Sequence, residues 1–195
     1  MSDLYQGLEI HPFEQPEQWL AWLAEHHEQQ EAIWIKFARK GSGLTSINYE
    51  QGRDAALRYG WIDGQAKSLD ATHYLQKFSP RRARSKWSQI NCALVETMIE
   101  QGLMFPSGMR EVERAKADGR WEAAYAPPSS IEVPAEFQAL LDQNPKAAEA
   151  FSALKSMERY RILYRLHDAK KAETREKRRG QFLDELLQKA EQPLS

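Results

Sequence analysis

The chain has 195 residues, 42% of them hydrophobic, with six Trp, seven Tyr and seven Phe. That composition excludes a disordered chain, which is poor in the groups that offset ordering entropy, and the single cysteine, Cys92, excludes an internal disulfide or a thiolate metal cage. The formal net charge of −1 excludes neither a basic nor an acidic face: residues 1–35 carry seven acids and no Lys or Arg, residues 36–92 eleven cations and four acids, and the remainder sixteen cations and seventeen acids.

No apolar run approaches the roughly 18 residues of a membrane-spanning helix, and the acidic N-terminus lacks the basic-then-apolar pattern of a signal peptide. A cytoplasmic protein without a membrane span is expected. Leu8–Phe13 (LEIHPF), stopped by Pro12, reads as an edge strand or an extended lead-in. A helix follows from Pro16, with Glu14 and Glu17 near its positive end and Trp19, Leu20, Trp22 and Leu23 at helical spacing. His26 and His27 fall in its last turn. Neighbouring helix positions point about 100° apart, and no acid or cysteine completes a ligand set, so no metal is expected there.

Ala32–Ala38 (AIWIKFA) alternates as a central strand, with Lys36 either facing solvent or held as a rigid cation. The glycines at 41 and 43 lack the GK[ST] ending of a phosphate loop. A helix over Tyr49–Tyr59, capped by Ser46 or Asn48, ends at Gly60 in the left-handed position. Trp61–Gly64 then reads as a turn, and Lys67–Asp70 and Tyr74–Phe78 as an antiparallel hairpin ended by Pro80. Ser85 or Ser88 caps the next helix, whose inner face carries Ile90, Leu94, Val95, Met98 and Ile99; a further helix covers Ser107–Ala117.

Pro127–Ser130 is the best linker, and four helical segments follow it: 134–143, 145–154, 158–169 and 173–190. The prediction is an α+β chain, with a small mixed sheet flanked by helices over residues 1–126 and an all-helical C-terminal segment over 131–195.

The densest functional signal lies between Gly60 and Asn91. Lys77, Arg81, Arg82, Arg84 and Lys86 follow one another with no acid after Asp70. Arg81 and Arg82 offer forked donors, Ser85 and Ser88 hydroxyls, and the helix that starts beyond Trp87 a positive dipole end, a combination that favours phosphate or carboxylate. Lys36, Trp61, Asp63, Lys67 and Arg120 complete the candidate ligand-binding set, with Asp63 orienting one guanidinium. The competing reading makes Arg81, Arg82 and Asp63 an ion-pair network that pins the hairpin to a helix, with Trp61 and Trp87 as ordinary core. A second basic patch, Lys170, Arg175 and Arg178, lies within a run from Arg159 to Arg179 of nine cations against three acids.

The words GWIDGQAKSLD, YLQKFSPRRARSKWSQIN, ADGRW and DAKKAETREKRR together resemble the bacterial YdeI or OmpD-associated family, also called bacteriocin-protection-like proteins, over residues 19–185. The family pattern falls on Gly60, Trp61, Ile62, Asp63, Gly64 and Lys67, on Pro80, Arg81, Arg82, Ser85, Trp87 and Ser88, and on Ala169, Lys170, Glu173, Thr174, Arg175 and Arg178. The resemblance implies a soluble bacterial protein with an α+β body, a helical C-terminal segment and a link to stress, but no established reaction.

The residues therefore lead to a protein that binds an anionic small molecule or an acidic protein surface through an Arg/Ser/Trp cleft. One alternative is a nucleic-acid-binding protein using residues 77–91 and 159–179, with Tyr74, Phe78 and Trp87 stacking on bases. Against it stand a pI of about 6.5 and the acidic first 35 residues. Another alternative is a small-molecule hydrolase or transferase with Asp63 as base. No nucleophile with its base and no metal-ligand spacing is visible, so the sequence leans away from an enzyme and calls for no cofactor.

Overall fold

The computed structural model describes residues 3–191. They divide into two compact units, the first ending at Ala124 and the second starting at Tyr125.

The first unit is built on a five-stranded mixed sheet of order β1-β2-β3-β5-β4. In chain order its elements are β1 (Leu4–Tyr5), β2 (Leu8–His11), α1 (Pro16–His26), β3 (Ile33–Ala38), α2 (Tyr49–Arg58), β4 (Trp61–Ser68), β5 (His73–Pro80), α3 (Gln89–Glu100) and α4 (Pro106–Ala117). β3 is central, as its alternation predicts. It runs parallel to β2 and antiparallel to β5.

LEIHPF is not an edge strand: β1 folds back on β2 through a turn at Gln6 and Gly7, where φ is 53° and 75°. A two-residue strand carries no periodicity, so this cover has no sequence signal. Trp61–Gly64 is likewise not a turn but the start of β4. Gly64 sits in a bulge, where the register shifts between Asp63 and Ala66 and the Gln76 side chain donates to the Gly64 carbonyl at 2.9 Å.

One sheet face packs against α1 and α2. Ile33, Ile35 and Phe37 of β3 meet Trp19 and Leu23 of α1, Ala55 and Ala56 of α2, and Trp61 and Phe78, all buried. The Trp19 indole donates to the Gly52 carbonyl at 3.0 Å. Side chains alternate along a strand, so Trp34 and Lys36 face the other way. A second core joins α2, α3 and α4 through Leu57, Trp87, Cys92, Val95, Met98, Val112, Ala115 and Trp121. Ile90, expected inside, is 46% exposed. The Ser88 cap sets the helix phase so that Asn91, Cys92 and Val95 turn inward instead.

The second unit is helical: α5 (Ala135–Gln143), α6 (Pro145–Ser152), α7 (Ser156–His167) and α8 (Ala172–Glu191). Its core comprises Phe137, Leu141, Ala147, Phe151, Ile162, Leu163, Leu166, Phe182 and Leu186. Pro127–Ser130 forms a turn at its head, with the amides of Ser130 and Ile131 bonded to the Pro127 carbonyl at 3.1 and 3.0 Å. Among the described residues no helix is long and apolar enough to cross a membrane.

Candidate anion site

β5 leaves the sheet at Pro80, opposite Trp61, and the Arg81 amide donates to the Gly60 carbonyl at 3.0 Å. The chain then turns through residues 81–88. The Arg82 amide donates to Ser85 Oγ and the Ser85 amide to the Arg82 carbonyl, both at 2.9 Å. The loop ends where Ser88 Oγ accepts from the Asn91 amide at 3.1 Å and caps α3.

Two arginines hold successive carbonyls of this loop. Arg81 is buried, with its guanidinium carbon 3.5 Å from the centre of the Trp87 ring, and its Nη1 donates to the Lys86 carbonyl at 3.0 Å. Arg120 donates through Nη1 to the Ser85 carbonyl at 2.8 Å and through Nε to Asp118 at 2.8 Å. Desolvation works to raise the Asp118 carboxyl, but hydrogen bonds to Arg120 and the charges of Arg120 and Arg114 outweigh it and hold that carboxyl below its ordinary value. The Trp87 ring rests on Trp121 with centroids 4.8 Å apart. Among the described residues, Trp87 Nε1 and Arg120 Nη2 are buried donors without an acceptor.

The structure thus brings Arg81, Ser85, Trp87, Ser88 and Arg120 together, with Arg82 and Arg84 exposed on the same loop. The remaining candidates lie elsewhere. Trp61 is core, its indole donating to the His27 carbonyl at 3.3 Å. Asp63 does not orient Arg81 or Arg82: strand pairing opposite Phe78 turns it toward α2, where it accepts from the Tyr49 hydroxyl at 3.0 Å. Trp121 and Asp118, which the sequence reading passed over, flank Arg120. Their only signal was the DGRW word itself.

Lys36 and Lys67 occupy the opposite sheet face. Both register with Leu75, from β3 and β4 on either side of β5, and Lys77 lies two residues further along β5 on that same face. Two strand spacings put Lys36 and Lys67 about 10 Å apart.

In the second unit Arg175 donates to the Lys170 and Ala169 carbonyls at 2.9 and 3.3 Å, and Arg178 to the Arg165 carbonyl. These guanidiniums close the C-terminal end of α7, where cations complement the helix dipole. Lys170 is exposed. The stacking surface expected for bases is missing at Phe78 and Trp87, which are buried, and Tyr74 lies flat on Phe37 at 5.3 Å. No group of three or more His, Cys, Asp or Glu is placed to hold a metal among the described residues. The ring Nδ1 atoms of His26 and His27 are bonded to the Trp22 and Leu23 carbonyls at 2.9 and 2.8 Å.

Residues 11–111, more than half of the chain, match the family described as Domain of unknown function (DUF8412), and residues 130–189 match the family described as Bacteriocin-protection, YdeI or OmpD-Associated. The chain belongs to the first of these families, and its C-terminal segment is similar to the second. No curated protein and no solved structure gives a match. The resemblance quoted across residues 19–185 therefore divides: the loop 81–88 falls in the DUF8412 part, and Lys170, Arg175 and Arg178 fall in the YdeI or OmpD-associated part.

Proposed function

We propose that this protein binds a small oxyanion, phosphate or carboxylate, at the loop 81–88. The observation that carries the reading is the pair of buried donors without acceptors, Trp87 Nε1 and Arg120 Nη2. A buried donor left unmade costs about 1–3 kcal/mol, more when charged. An oxyanion accepting from both recovers that cost, and the N-terminus of α3 adds a favourable dipole. The exposed Arg82 and Arg84 raise the local anion concentration and speed encounter.

Calorimetric titration with inorganic phosphate and with acetate tests this. Phosphate is expected to bind and to raise the melting temperature. Trp87→Phe and Arg120→Lys, each removing one of the two donors, are expected to weaken binding about tenfold or more, or about 1.4 kcal/mol. Arg82→Ala is expected to slow association while changing stability by less than about 0.5 kcal/mol. Arg81→Ala is expected instead to lose about 2–4 kcal/mol in urea unfolding, because it removes a desolvated ring contact and a charged hydrogen bond. No heat and no melting shift with either anion, or affinity unchanged in both donor variants, would overturn the reading.

A further inference from the structure

The first turn of α3 meets solvent with an isoleucine. Ile90 is the second residue of the helix, two positions beyond the Ser88 cap, and it is 46% exposed. Acidic side chains are favoured in a first turn, at the positive end of the helix dipole, yet α3 has none there. One exposed isoleucine on a surface calls for no explanation, but this one heads a stripe. Ala93 and Thr97 are exposed and Leu94 is half-buried, all at the spacings of one helix face. The Thr97 hydroxyl donates to the Ala93 carbonyl at 3.1 Å, so it is committed to the helix backbone. From Ile90 to Thr97 the stripe runs about 10 Å, and none of its four residues is charged.

Its two ends differ. Helix side chains lean toward the N-terminus, so Ile90 covers surface between its own Cα and the loop 81–88. At that end Arg82, Arg84 and Lys86 are exposed, and no acid occurs from residue 71 to residue 95. Toward the other end Glu96 and Glu100 are exposed. An anion is drawn to the first end and repelled from the second, while the surface between them favours an apolar group.

We infer that the loop 81–88 takes its oxyanion with an unbranched alkyl tail, as a carboxylate or a phosphate monoester whose tail lies along Ile90, Ala93, Leu94 and Thr97. The inference rests on the oxyanion reading of the loop and adds the class of molecule. The head group accepts from Trp87 Nε1 and Arg120 Nη2, buried donors without an acceptor among the described residues. The tail gains by leaving water, about fourfold in affinity for each methylene fully covered. A stripe on one helix covers one side of a chain, so the gain per methylene here is smaller.

Calorimetric titration of the full chain with methyl, butyl and hexyl phosphate, and with acetate and hexanoate, tests this. Affinity is expected to rise with tail length in both series, by about tenfold or more from the shortest member to the longest. Ile90→Ser, its fold checked by circular dichroism, is expected to remove most of that rise. Trp87→Phe is expected to weaken tailed and untailed anions by the same factor. Methyl phosphate and acetate that bind as tightly as hexyl phosphate and hexanoate overturn the tail and leave the oxyanion site standing. No binding by any of these anions overturns both. A rise with tail length that persists in Ile90→Ser overturns the inference, as does tailed-anion binding that Trp87→Phe leaves unchanged. If Ile90→Ser does not fold, the tail-length series on the wild-type chain decides alone. Vesicles of phosphatidic acid in neutral lipid are expected not to co-sediment the protein, because a bilayer keeps the tails from the helix. Co-sedimentation overturns a free tailed anion in favour of a membrane surface.

Discussion

Burial pushes the Cys92 thiol up to about 11, with the nearby Arg81 charge offsetting only part of the effect. Since the thiolate is the reactive form, alkylation of native protein at pH 8 is expected to run roughly two orders of magnitude slower than that of the unfolded chain. Equal rates would show that the thiol is reached by local opening. Asp70 goes the other way. Its carboxylate accepts from Thr72 Oγ1 at 2.8 Å and from the Thr72 and His73 amides at 2.7 Å each, which lowers it to about 2. A carboxyl lowered in the fold contributes stability that is complete above its unfolded value of about 3.9 and is lost as pH falls through the folded one. The β4–β5 turn is thus expected to loosen between about pH 4 and pH 2. Thr72 and His73 amide shifts that titrate near 4 rather than near 2 would contradict this. At this scale the sequence is legible where chemistry is local: Ser88 and Asn48 cap helices and Gly60 holds a φ of 76°. Asp63 was not legible, because its partner Tyr49 lies on another element and no spacing announces it.

The helices follow from periodicity, and so do the central position of β3 and the α+β class, but the phase of α3 does not, since Ile90 faces out. β1, the full length of β4 and the bulge at Gly64 do not. They depend on pairing partners distant in sequence, and a bulge breaks the alternation by which a strand is read. The close approach of α2 and α4 is similarly invisible. Gly108 lies so near the end of α2 that an added Cβ would stand 2.2 Å from the Arg58 carbonyl oxygen. Gly108→Ala is therefore expected to lose about 2–4 kcal/mol in urea unfolding. Gly180, with nothing within 4 Å of an added Cβ, is the control. Gly180→Ala is expected to stabilise α8 by up to about 1 kcal/mol.

Across the whole molecule, charge bookkeeping along the sequence finds the acidic start and the basic middle but not the sides on which they fall, since a strand's odd and even positions are assigned only once the core is chosen. Parity alone sends Lys36 away from α1 and Ile35 toward it. Lys36 and Lys67 share a sheet face, whereas Arg81 lies beyond the end of β5 in the loop that follows it. Arg81 and the half-buried Arg120 hold the loop's carbonyls, and Arg120 keeps its Nη2 for a ligand, while Arg82 and Arg84 are exposed to solvent. Segregated faces also alter how the protein meets a charged solid. With a formal net charge of −1 and a pI of about 6.5, a uniformly charged protein would scarcely be retained by any ion exchanger near neutral pH. This one is expected to adhere to both resins at low ionic strength, offering the acidic α1 to the anion exchanger and the exposed Arg82 and Arg84 to the cation exchanger, and R82E/R84E should weaken retention on the second alone.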